Sequence, residues 1–425
     1  MSNVTIPLGA MKGILSYNID NNIALQERGE HPIAIGIVGQ AGDGKTAIVE
    51  QLAKERNMGF KSLVLSQLEE AGDLIGYPIK EFECQVAKQV KDKDGNVKMQ
   101  VLPNTMWLNE KQLESPSKGM MFRQTGKTRM SYAIPSWVPE YNENGTIFLL
   151  DDMSRANPIL LQSIMEVIYK QETPAWKLPK KTTVVITSNP DDGKYNVSSM
   201  DPAQMGRFIG FNVTWDQDAW LKWAEEYGLD GRCINFVMSY ANELFGMDDD
   251  GNRICSPRTF VMFSNIISGI KDWDNPESLN FITTISHGCF QDEGGRFSKM
   301  FNAFIRNKMH LMIQPKEMLL ESWSTLRDKL ENALYDSNGM YRPDIASMLE
   351  RRFSNFVCAW LKSDDKTPIS KVEDRIKDFL ETEEKGNRRL FTQDLFYHML
   401  KVITSDNKRQ TNKLMFNPKI AKIIS

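Results

Sequence analysis

Apolar runs too short to be helices punctuate the first half of the chain, and helix-period segments fill the gaps between them and the whole second half. Pro32-Ile33-Ala34-Ile35-Gly36-Ile37-Val38 is short, rich in β-branched residues and followed by glycines. Such a run predicts a buried parallel strand feeding a tight loop. Lys61-Ser62-Leu63-Val64-Leu65, Gly145 to Asp152 and Thr183 to Pro190 predict further strands. Helical spacing appears in Met11, Ile14, Leu15, Ile19, Ile23 and Leu25, ending near Gly29; in Ala47, Ile48, Val49, Leu52 and Ala53; and in Leu160, Leu161, Ile164, Met165 and Ile168. Two stretches break this rhythm. Residues 79–102 are rich in Lys, Gln and Val around Asp94-Gly95, a hairpin signal, and residues 170–181 read as a second small hairpin. Met200 to Phe208 reads as a short helix ending in an arginine.

Beyond Trp215 the pattern turns all-helical. Ala219-Trp220, Trp223-Ala224, and Ile234 to Leu244 lead to Ser256-Pro257-Arg258, where proline opens another helix. Leu319 to Leu334, Tyr341 to Leu361 and Phe391 to Ile403 continue the pattern, with loops at 336–339 and 362–368. Strands alternating with helices predict an α/β domain with a parallel sheet, followed by all-α segments.

Chemistry concentrates at the ends of the predicted strands. Gly39-Gln40-Ala41-Gly42-Asp43-Gly44-Lys45-Thr46 lies between the first strand and a helix that starts at Ala47. This is the G-x-x-x-x-G-K-[ST] pattern of a phosphate-binding loop. Its glycines admit a phosphate chain without Cβ clashes, the lysine reaches the outer phosphates, and the threonine hydroxyl ligates magnesium. Gly39 to Thr46, with Ala47 of the first helical turn, form the candidate set for ATP. The Gly145–Leu150 strand ends in Asp151-Asp152. Acids delivered to the carboxyl edge of a parallel sheet sit where ligands bind. There Asp151 suits the magnesium shell, and Asp152 the polarising of an attacking water. A capping turn is the alternative for an isolated pair of acids. The strand Thr183-Val184-Val185-Ile186-Thr187-Ser188-Asn189-Pro190 ends in a polar amide, Asn189. An amide at that edge can bond the water or the terminal phosphate, and Asn-Pro is also a turn former.

Composition changes this picture little. Over 425 residues, 41% are hydrophobic and 25% charged, and Lys+Arg 52 against Asp+Glu 55 leaves a net charge of −3. That balance gives no strong footprint for nucleic acid, although a local basic patch stays open; lysine-rich faces after residue 309 read first as solvated helix surface. Cys84, Cys233, Cys255, Cys289 and Cys358 lack paired spacing, which favours buried thiols in a reducing cytosol over disulfides or zinc. His287 and Cys289 do not make a metal site by themselves. No signal pattern and no span of about 18 uninterrupted apolar residues is present. A soluble, cytoplasmic protein without a membrane partner is expected.

Taken in order, these motifs resemble the AAA+ ATPases, and within them the MoxR-like group, over roughly residues 31 to 305. Gly39 to Thr46 is similar to Walker A, and Phe148 to Asp152 to Walker B. Pro135-Ser136-Trp137-Val138-Pro139, Ser154-Arg155-Ala156 and Trp220-Leu221-Lys222-Trp223-Ala224 resemble stretches common in that group. Asn189 falls at the sensor 1 position, Arg207 in Met-Gly-Arg-Phe resembles the arginine finger, and Arg258 in Ser-Pro-Arg resembles sensor 2. The resemblance implies a lead at 1–30 and a nucleotide-binding core at 31–215, with insertions at about 79–102 and 170–181. A helical lid at 216–308 and a helical extension at 309–425 complete the organisation.

It further implies ATP and Mg2+ as cofactors and a homo-oligomer, a hexameric ring, in which Arg207 acts on a neighbour's phosphate. The client would be a protein, in this group often a von Willebrand factor A-domain protein, and the action chaperone-like. The family's usual Asp-Glu is Asp151-Asp152 here, and its Asn after Walker B is Ser154. Aspartate is one methylene shorter, and a misplacement of that size costs on the order of a hundredfold in rate. A nucleotide switch with little turnover is therefore a second reading. A DNA-handling AAA+ motor or loader is a third, which the near-neutral charge disfavours.

Overall fold

The computed structural model describes residues 5–91, 97–114, 120–191, 202–247, 253–290, 295–307, 309, 312–336, 338–362, 369–384 and 388–406. Asp94-Gly95, Met200, Asp201, residues 363–368 and residues 407–425 lie outside the described residues. The chain divides into two units, Met1–Thr214 and Trp215–Ser425.

The first unit is built on a six-stranded, all-parallel sheet. Its strands are β1 (Thr5–Pro7), β2 (Ala34–Val38), β3 (Gly59–Val64), β7 (Thr146–Asp151), β8 (Thr182–Ser188) and β9 (Phe208–Thr214), in the order β1-β9-β2-β8-β7-β3. β2 and β8 are buried along their whole length. Their continuous apolar runs follow from cover on both faces. Alternation assigns the faces. Ile35, Ile37, Ile147, Leu149 and Val185 pack beneath Leu15 and Ile19 of helix Met11–Glu27 and Val49 and Leu52 of helix Lys45–Glu55. Ala34, Phe148, Leu150, Val184 and Ile186 pack with Leu161, Ile164 and Ile168 of helix Leu161–Lys170 on the other side. At Gly36 a side chain is excluded, since a Cβ would lie 2.6 Å from the Phe208 ring.

The topology fixes where chemistry can occur. From β2 the chain runs to the far edge at β3, returns through β7 to β8, and then crosses to β9 on the opposite flank of β2. Connections leaving the carboxyl ends of neighbouring β2 and β8 thus depart in opposite directions, which opens a crevice at that edge. Two strands of this sheet do not stand out in the sequence. β9 carries Gly210 and Asn212 among its apolar residues, and β1 is three residues long, pairing with β9 from Thr5↔Asn212 to Pro7↔Thr214.

Between β3 and β7 the chain builds a second, antiparallel sheet rather than a lone hairpin. β4 (Tyr77–Lys91) is central, flanked by β5 (Val97–Asn109) and β6 (Met120–Ala133). β6 escaped the sequence pattern because most of its residues are exposed and no apolar alternation is enforced on it. Residues 170–181 form a tight return closed by the Glu172↔Lys177 bridge, with buried Trp176 packed edge-on against Trp137 at 5.4 Å.

In the second unit the regular elements among the described residues are helices, apart from one isolated Tyr335↔Tyr341 bridge. One apolar core gathers Phe236, Phe260, Phe263, Phe297 and Phe301 from helices between 231 and 306, with Trp273 from the connection between Pro257–Ile267 and Pro276–Phe290. Another gathers Leu326, Leu330, Leu349, Phe353, Ile376 and Leu400 from helices between 315 and 406. No helix among the described residues is long and apolar enough to cross a membrane.

Candidate active site

The glycine loop follows β2 without a gap. Gly42 and Gly44 take positive φ, 86° and 101°, which a Cβ would disfavour, and Gly44 is the residue on which helix Lys45–Glu55 begins. Gly39 leaves no room for a side chain, because a Cβ there would lie 2.6 Å from Val213 Cγ2. The loop is thus a backbone cradle, and the orphan N–H groups of the first helical turn face the same edge.

Lys45 is buried, and its ammonium donates to Gly39 O at 2.7 Å, to Gln40 O at 3.0 Å and to Asn189 Oδ1 at 3.2 Å. Three carbonyl-type oxygens therefore hold the charge over the loop. Asn189 follows β8, and its amide faces both ways. While Oδ1 accepts from Lys45, Nδ2 donates to Asp152 Oδ1 at 3.2 Å. The backbone N–H of Asn189 is fixed by Ser154 Oγ at 3.2 Å. Asp151 ends β7, where Oδ2 accepts the Thr46 hydroxyl at 3.1 Å and Oδ1 accepts the Asp152 N–H at 3.1 Å and the Thr187 hydroxyl.

Asp152 sits in left-handed backbone, φ 59° and ψ 44°. Aspartate is among the few residues with a side chain that enter this region readily, and a less suited one pays on the order of 1 kcal/mol or more. The second acid being Asp rather than Glu thus matches its backbone. Its Oδ2 lies 3.6 Å from Arg155 Nη1, an exposed guanidinium.

Of the residues singled out in the sequence, the structure brings Gly39, Gln40, Lys45, Thr46, Asp151, Asp152 and Asn189 to one sheet edge. Arg207 is elsewhere. It precedes Phe208, which pairs with Ala34 at the start of β2, whereas the glycine loop follows Val38 at its end. Five strand residues separate those levels, roughly 16 Å at about 3.3 Å per residue. Nη1 of Arg207 is buried without a hydrogen-bond partner among the described residues. Arg258 belongs to the second unit, exposed at the second position of helix Pro257–Ile267, whose start is closed by a Ser256–Thr259 capping box. Thr187 was not singled out. Its signal was a threonine in a fully buried strand, which must find a partner.

No family model matches the sequence, and no curated protein sequence matches it. Solved structures that resemble it are distant. A candidate ATPase from Cytophaga hutchinsonii aligns at 13% identity over 93% of this chain and 90% of that one, with a TM-score of 0.29. The Thermotoga maritima RuvB Holliday junction branch migration motor aligns at 13% identity over 79% and 87%, with a TM-score of 0.31. A mutant form of that motor aligns at 13% over 80% and 87%, with a TM-score of 0.34. None of these scores assigns the chain to a family.

The site's own donors say what it suits. The Thr46 hydroxyl and the Asp151 carboxylate are hard oxygen ligands of the kind magnesium takes beside a phosphate. A buried ammonium, a glycine-rich loop and a helix start meet at the same edge, and together they suit a polyphosphate.

Proposed function

We propose that this chain is a MoxR-like AAA+ ATPase that binds ATP with Mg2+, hydrolyses it within a homo-oligomeric, hexameric ring and remodels a protein client in a chaperone-like way. The observation that carries this reading is the continuous path Lys45–Asn189–Asp152, lying beside Thr46–Asp151 at one sheet edge. In it, Gly39 to Ala47 cradle the phosphates, Thr46 and Asp151 hold the metal, Asp152 polarises the water and Asn189 orients it. ATP and its metal supply the scissile phosphoanhydride and offset its charge. Residues 31–215 act as the core, 216–308 as the lid that carries Arg258 as a phosphate sensor, 309–425 as an extension and 1–30 as a lead. The client is a protein, for which a von Willebrand factor A-domain protein is the leading class, and the setting is the cytoplasm.

Arg207 supports a site shared between copies. It lies a sheet's length from its own loop, and its buried Nη1 has no hydrogen-bond partner among the described residues. An arginine supplied by a neighbour stabilises the transition-state charge of phosphoryl transfer. Specific turnover is therefore expected to rise with protein concentration as rings form, followed by light scattering on the same samples. Arg207→Ala should flatten that rise while leaving ATP binding intact; a variant that turns over like the parent would refute the shared site.

Asp152→Asn tests the water-polarising role. Asparagine tolerates the left-handed backbone as aspartate does, so the fold and nucleotide binding should persist while turnover falls on the order of a hundredfold. The switch reading is favoured by one observation, the short Asp152 carboxylate already engaged by Asn189 and Arg155. Tight ATP binding with near-zero turnover at every assembly state would establish it.

A further inference from the structure

We propose that Thr187 is a positioning residue for the magnesium-holding carboxylate, an inference that rests on the functional reading above. Asp151 can serve a metal only if one oxygen is kept turned toward Thr46, and rotamer preference does not secure this, because the terminal torsion of aspartate is broad. The structure supplies the missing constraint from the far side. Oδ2 takes the Thr46 hydroxyl at 3.1 Å, while Oδ1 takes the Thr187 hydroxyl and the Asp152 N–H at 3.1 Å. Thr187 is 1% exposed and lies in the middle of the sheet, paired with Ile37 of β2, so neither its backbone nor its side chain has freedom to drift.

The hydroxyl acts twice. Its single proton goes to Asp151, and its oxygen accepts the Asp152 N–H at 3.3 Å. One side chain on β8 thereby ties together both acids delivered by β7. Groups that orient a metal-binding carboxylate in this way typically govern metal affinity by a factor of about 10–100. The role is specific to the hydroxyl. Valine has nearly the same shape but no donor, and it leaves Asp151 Oδ1 still holding the Asp152 N–H, so the acid is loosened without being stranded.

The test is binding of a fluorescent ATP analogue by the full chain, titrated with magnesium and repeated in EDTA. Thr187→Val is expected to raise the half-saturating magnesium concentration on the order of 10–100-fold, to leave affinity in EDTA unchanged, and to be rescued by Thr187→Ser. Should valine disturb folding, Thr187→Ala gives the same comparison. An unchanged magnesium requirement overturns the inference, as does an equal loss of affinity with and without magnesium, which is what a merely structural role gives. If the unaltered chain shows no magnesium-dependent binding, the functional reading fails and this inference falls with it. A normal parent with an insensitive variant removes this inference alone.

Discussion

Replacing Lys45 by alanine is expected to lower ATP turnover on the order of a thousandfold and to weaken nucleotide binding measured by calorimetry. The size of the effect follows from how the ammonium is held. Lys45 is buried at the start of its helix, and Gly39 O, Gln40 O and Asn189 Oδ1 all accept from it. A charge fixed in advance over the cradle, in surroundings of low dielectric, attracts developing phosphate charge far more strongly than a mobile one in water. Truncation removes that charge and also frees the Asn189 amide, whose other end positions Asp152. The two losses act on one site, so Lys45→Ala combined with Asp152→Asn should cost much less than the product of the single effects. Turnover within a few-fold of the parent would mean that the loop is a turn and nothing more.

Much of this site was legible because strand ends and chemistry coincide in the sequence. Val38-Gly39, Leu150-Asp151 and Ser188-Asn189 each mark a point where an apolar run meets polar groups, and in a parallel sheet all such points share one edge. What could not be read were lateral relations. That Thr187 reaches Asp151 depends on β8 lying beside β7, and that Arg207 is remote from Lys45 depends on the Phe208↔Ala34 register. Neither relation leaves a trace in local periodicity. The three-stranded insertion was half visible for a related reason. Cys84 and Val86 on β4 are buried, whereas β6 is largely exposed and no face selects its residues. Helix boundaries in the second unit were blurred where caps decide them. Leu319 to Leu334 reads as one segment, yet it divides into Pro315–Leu320 and Trp323–Leu334.

In the second unit the largest expected effect belongs to Arg352. Its helix, Pro343–Lys362, packs in one apolar core, while its guanidinium donates to Glu225 Oε1 at 2.7 Å and Asn235 Oδ1 at 2.8 Å, on helices of the other core. Gln314 Oε1 accepts a third bond at 3.2 Å. Arginine and glutamate side chains here are 3% and 7% exposed, so water cannot replace a lost partner. Gly231 closes over the network, since a Cβ at that position would meet Gln314 Oε1 at 1.9 Å. Removing one member of a buried ion pair strands the other, at a cost of about 3–5 kcal/mol. Arg352→Ala is therefore expected to shift urea unfolding by that amount. Tryptophan emission is a suitable probe, because Trp215, Trp220, Trp223, Trp273, Trp323 and Trp360 lie in this unit against Trp107, Trp137 and Trp176 in the first. Adding Glu225→Ala should recover part of the loss, because the stranded carboxylate is then gone. A loss below about 1 kcal/mol, the range of exposed pairs, would mean that water enters between the two cores and that they unfold independently. The full loss with a single transition would mean that the two cores respond as one body to whatever moves either of them.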